Sequence, residues 1–135
     1  MSETDVYIEF VREKMRLLSD FPRLSVLIYN AVKQALEKYN VRGEVYFFGS
    51  VIEGKYTASS DIDVAILVES IPKERKEIVN EVMRKLESEG LPFWFPLEIH
   101  FFTPFLFSAF KKGGANFVRA EDYIKTSMKT VFPNV

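Results

Sequence analysis

Residues 62–68 read Ile-Asp-Val-Ala-Ile-Leu-Val, apolar throughout except for one aspartate. A run of that length without alternation of polar residues suits a strand covered on both faces. Such a strand needs neighbours on either side and helices packed against it, which points the whole chain towards a layered α/β or α+β arrangement. Yet the run opens on charge, because Asp61 and Asp63 flank Ile62. Residues two apart on a strand point to the same side, about 7 Å apart along the backbone. Two carboxylates so placed at the edge of a core repel one another unless a cation lies between them, and hard divalent ions such as Mg²⁺ favour these oxygen ligands.

The flanking sequence supplies the rest of such a layer. Tyr7, Phe10, Val11, Met15 and Leu18 recur at helical spacing, and Phe21-Pro22 opens a second helix whose apolar face (Leu24, Leu27, Ile28, Ala31, Ala35) runs on to Tyr39. Val45 to Phe48 is a short β-branched and aromatic strand ending at Gly49. Pro72 is expected to start a helix with a buried stripe of Ile78, Val79, Val82, Met83 and Leu86, stopped near Gly90. Leu97 to Phe102 forms a third strand, Thr103-Pro104 caps a helix through Lys112, and a last short helix is expected around 121–126. The order α-α-β-β-α-β-α describes one domain over 1–135, a small mixed sheet flanked by helices. Its motif-bearing core spans 45–102, with helical flanks at 5–40 and 103–127. A chain of 135 residues with 47% hydrophobic content is long enough for one such core.

The net charge of −1 excludes a global field that would gather long nucleic acid, so any nucleotide site must be built locally. The absence of cysteine removes disulfide, thiolate-metal and zinc-finger chemistry and fits a cytoplasmic setting. No stretch approaches the roughly 18 apolar residues of a membrane span, and the charged N-terminus does not read as a targeting signal. A soluble protein with no membrane association is expected.

The chemistry gathers around GSVIEGKYTASSDID, residues 49–63. If the strands on either side of this segment pair antiparallel, Gly49 and Ser50 arrive at the same sheet edge as the aspartates. A glycine allows close backbone approach to an anion, and a serine hydroxyl with nearby amides can hold phosphate oxygens. Lys55 and Ser60, in the loop between, are further candidates for triphosphate contact. A right-handed crossover through the third helix would lay the third strand parallel to the second, and alternation in LEIHFF puts Glu98 on the aspartate side. Three converging carboxylates suit in-line phosphoryl or nucleotidyl transfer with two metals about 3.5–4 Å apart. His100, the one histidine, shares the face of Glu98. It is left out of the metal set, as a lone histidine on an aromatic strand is more often packed than ligating.

The spacing of Gly49-Ser50, ten residues, then Asp61-Ile62-Asp63, together with PLEIHFF, resembles the minimal nucleotidyltransferases of the DNA polymerase beta superfamily. The resemblance implies a polymerase-beta-like nucleotidyltransferase fold, with Gly49 and Ser50 on the triphosphate. Asp61 and Asp63 would hold two Mg²⁺ ions, and Glu98 would be the third ligand and candidate base, where many relatives carry aspartate. It implies an enzyme that passes a nucleoside monophosphate, most often AMP from ATP, to a hydroxyl of a protein or RNA acceptor. Minimal members are commonly paired with a helical partner of the HEPN class, some as antitoxins. A homo-oligomer is a further possibility. The alternative from another class is a non-catalytic module that neutralises a helical partner, with nucleotide in a regulatory role.

Overall fold

The computed structural model describes residues 2–131. Two helices come first, α1 (Glu3–Ser19) and α2 (Phe21–Lys38), followed by the strands β1 (Glu44–Phe48) and β2 (Ile62–Leu67). Helix α3 (Arg75–Ser88) then leads to β3 (Leu97–Phe102), and α4 (Pro104–Lys112), β4 (Val118–Arg119) and α5 (Ala120–Val131) complete the chain. The four strands form one sheet in the order β3-β2-β1-β4. β1 runs antiparallel to β2, with Phe48 opposite Asp63, while β3 runs parallel to β2, with Glu98 opposite Asp63. The mixed sheet, the antiparallel pair and the parallel crossover through α3 all agree with the sequence analysis. Hydrogen bonds from Ile62 N to Pro96 O (2.7 Å) and from Val68 N to Phe102 O (2.8 Å) extend the β2–β3 ladder beyond both ends.

The two faces of the sheet differ in composition, and that difference positions the site. Val45, Phe47, Ile62, Val64 and Ile66 are buried on one face, in a core shared with Leu24, Ile28 and Val32 of α2 and Ile78, Val82 and Leu86 of α3. Phe47 is wholly buried there, in edge contact with Phe21 (5.0 Å between ring centroids) and Tyr123 (5.7 Å). The opposite face is aromatic: Phe102 contacts Phe107 and Phe110 of α4 together with Phe117, and Tyr46 contacts Phe107 and Phe117. Every second residue of β1, β2 and β3 therefore faces a smaller aromatic layer that leaves room for polar groups.

Four details depart from the sequence expectation. β4 was not anticipated, since its two residues are too short to show a period; they pair with Tyr46 and Phe47 of β1. α3 starts at Arg75 rather than at Pro72, whose carbonyl instead closes a turn with Arg75 N (3.3 Å). α5 is twice the expected length. In α1 only the C-terminal half enters the core, through Leu17 and Leu18, while Tyr7 and Phe10 stand 65% and 41% exposed despite their helical spacing. Periodicity marks an apolar stripe without saying what covers it.

Phe47 links the sheet to α2 and α5 with no exposed surface of its own. Phe47→Ala is therefore expected to lower the unfolding free energy by about 3–5 kcal/mol, read from the midpoint of a urea transition at unchanged slope.

Candidate functional site

Asp63 sits at the second position of β2, flanked by Phe48 on β1 and Glu98 on β3. Its neighbour Ile62 is 1% exposed and anchors the strand in the core, so the pleat turns Asp63 to the aromatic face. Gly49, directly after β1, has φ +90, and a Cβ built there would lie 2.3 Å from Asp63 Oδ2. Only glycine both adopts that backbone and leaves the space the carboxylate occupies.

His100 completes the set. Its Nε2 lies 3.1 Å from Asp63 Oδ1 and 3.8 Å from Glu98 Oε1. The ring is held in orientation by Phe48, which meets it edge-on (5.2 Å), and by Phe102, stacked at 5.9 Å. Wholly buried Ala65, the β2 residue opposite His100, is small enough to let the imidazole lean back across the strand towards Asp63. One ligand atom from each of Asp63, Glu98 and His100 falls within 4.8 Å of the others, the one such group among the described residues. Hydrogen bonding to Asp63 raises the His100 pKa above the usual 6.5; burial opposes the rise, and the charges of Glu98 and Asp63 reinforce it.

Asp61 has a partner on α1. It precedes β2, following the turn closed by Ser60 N and Thr57 O (3.0 Å), and its Oδ1 lies 3.8 Å from Lys14 Nζ of α1. That lysine side chain is only 12% exposed. Asp61 immediately precedes β2 and is not among the Asp63, Glu98 and His100 donors that gather within 4.8 Å of one another. The Ser50 hydroxyl donates to Ser60 Oγ (3.0 Å), and Thr57 N donates to the same oxygen (2.9 Å), tying the two ends of the loop together beside Gly49. Lys55 is exposed, and its backbone N donates to Ser50 O (2.9 Å).

The structure therefore brings Gly49, Ser50, Ser60, Asp63 and Glu98 to one sheet edge, with Lys55 exposed in the loop and Asp61 next to Lys14 of α1. Sequence reasoning passed over two residues of this neighbourhood. His100 was discernible from its two-residue offset from Glu98, whereas Lys14 lies among the charged residues of a surface helix and carries no signal. Two carboxylate oxygens and an imidazole nitrogen form a donor set that fits a divalent cation. The 3.1 Å between Nε2 and Oδ1 is close to the roughly 3.0 Å separating adjacent ligands on an ion with bonds of about 2.1 Å.

Residues 28–124 match the sequence model of a family described as nucleotidyltransferase domain, a span that takes in all four strands, the loop and Glu98. A solved structure of a presumed nucleotidyltransferase from Sulfolobus solfataricus is 19% identical, aligned over 74% of this chain and 78% of that chain, with a TM-score of 0.39. No curated protein matches the chain.

Two outcomes follow from this geometry. Gly49→Ala combines a backbone cost of about 1–2 kcal/mol at positive φ with displacement of the Asp63 carboxylate, so divalent-ion binding should fall while circular dichroism keeps the native fold. The ring protons of His100 should titrate above 6.5 in metal-free protein, and Asp63→Asn should bring that midpoint down. A raised folded-state pKa means the His100–Asp63 pair stabilises the fold fully below about pH 6.5 and loses that contribution as pH rises through the folded value. Chemical denaturation of native and Asp63→Asn protein across pH 5.5 to 8.5 reads the difference.

Proposed function

This chain belongs to the nucleotidyltransferase domain family, and from that premise we propose that it transfers a nucleoside monophosphate, AMP from ATP, to a hydroxyl of a protein or RNA acceptor. The observation that carries the proposal is the convergence of Asp63 and Glu98, opposite one another on parallel strands, with the Gly49-Ser50 turn at the same edge. A divalent cation held by these residues, Mg²⁺ being the ion the carboxylates alone suggest, would polarise the phosphate oxygens and stabilise charge developing on them.

The roles of the chain's own groups follow from position. Gly49 leaves backbone room, and the Ser50 hydroxyl, now bonded to Ser60, can exchange that partner for a phosphate oxygen. Lys55 is exposed near the turn and able to meet the triphosphate. The acceptor hydroxyl attacks the α-phosphorus, an O–P bond forms as the bond to the β-phosphate bridging oxygen breaks, and pyrophosphate leaves. Glu98, whose side chain is 56% exposed, is placed to take the hydroxyl proton on its carboxylate. Asp61 lies one residue outside β2 and could turn from Lys14 towards a second ion once nucleotide arrives, which would restore a two-metal arrangement.

The exposed Val6, Tyr7, Ile8 and Phe10 of α1 support a helical protein partner, because large apolar side chains gathered in water near one helix end are suited to burial by association. A HEPN-type protein is the partner we propose, with this chain acting as its antitoxin by modifying it.

Purified protein incubated with α-labelled ATP, a divalent ion and either the co-purifying protein or RNA should label the acceptor. Asp63→Ala and Glu98→Ala should each reduce labelling at least about 100-fold, the scale on which removing transition-state stabilisation acts. Labelling that survives both substitutions would falsify the proposed site.

A further inference from the structure

We propose that His100 is itself a metal ligand, and that its nitrogen makes this site take a first-row transition ion such as Mn²⁺ in preference to Mg²⁺. The inference rests on the divalent-ion site of the proposed function and concerns which ion that site is built for. His100 Nε2 is the atom shared by both carboxylates, 3.1 Å from Asp63 and 3.8 Å from Glu98, so it occupies the middle of the donor set. An ion bound by Asp63 and Glu98 would meet this nitrogen at bonding range with little rearrangement. The aromatic contacts restrict the alternative of the ring swinging aside, because Phe48 and Phe102 hold it from two sides. The same contacts fix the direction of Nε2 before any ion arrives.

Ligand chemistry then selects the ion. Mg²⁺ dehydrates reluctantly and takes oxygen donors, whereas imidazole suits the transition metals, whose affinity for nitrogen rises along the first row. Mn²⁺ accepts both carboxylate oxygen and imidazole nitrogen at octahedral geometry and is the mildest member of that series. His100 is therefore a specificity-determining residue, converting an oxygen-only site into a mixed one.

Mn²⁺ binding is read without turnover, from loss of the free-ion electron paramagnetic resonance signal, with Mg²⁺ added as competitor. Native protein should bind Mn²⁺ at least about tenfold tighter than Mg²⁺, and His100→Gln, which offers an amide oxygen, should weaken Mn²⁺ by a similar factor while moving Mg²⁺ far less. Equal weakening of both ions would show that His100 only positions Asp63 and would overturn the proposal. Should the variant fail to fold, the native protein still decides. Its single histidine, labelled with ¹⁵N, should give a directly coordinated nitrogen coupling in the electron spin echo of the Mn²⁺ complex, and absence of that coupling rejects the assignment. If neither ion binds native protein in a manner abolished by Asp63→Ala, the metal-dependent function itself fails, which is a separate result.

Discussion

Asp63 is the constraint around which the rest of the site is arranged. It occupies a central strand with Phe48 on one flank and Glu98 on the other, so a slip of one residue in either pairing would turn it into the core. The strand is held in register by its buried positions, Ile62, Val64 and Ile66, which have no alternative face on which to lie. Gly49 then becomes obligatory for a reason unrelated to turns in general, since any side chain there would overlap the Asp63 carboxylate. The hydrophobic effect, acting on one side of the sheet, thereby sets the location of charge on the other.

Both aspartates of the motif are provided with a partner from within the chain. Asp63 has His100 and Asp61 has Lys14, the latter almost wholly withdrawn from water. A carboxylate beside a core costs free energy unless paired, and these partners keep the apo fold compatible with a site of concentrated negative charge. Protonated His100 and a metal ion would compete for the same electrons on Asp63, so proton release and metal capture are coupled at this position. Lys14 plays the comparable role for Asp61 from a helix whose N-terminal half otherwise stays outside the core.

Much of this was legible from local pattern. The apolar run from Ile62 identifies the central strand, and alternation in LEIHFF puts Glu98 and His100 on one face without further information. The parallel neighbour follows from a right-handed crossover through α3, whereas the 13 residues between Phe48 and Ile62 allow either direction and the structure decides that pair as antiparallel. What local pattern missed is non-local by nature. β4 is a strand only because β1 presents an open edge to it, and the exposure of Tyr7 and Phe10 depends on how far α1 extends beyond the elements it packs on. That the donor group gathers His100 with Asp63 and Glu98 depends on side-chain placement that periodicity does not resolve.

The amino-acid sequence by itself determined the layered architecture and the pairing of a glycine-serine turn with carboxylates, since both rest on hydrophobic spacing and on residue types whose chemistry admits few uses. Only the tertiary structure decided which groups actually meet. His100 entered the donor set because Ala65 leaves room across the strand and two phenylalanine rings hold the imidazole in place, while Lys14 reached Asp61 from 47 residues away in sequence. Distances of 3–4 Å between side chains depend on rotamers selected by packing from several elements at once, and no single segment of the chain contains that information.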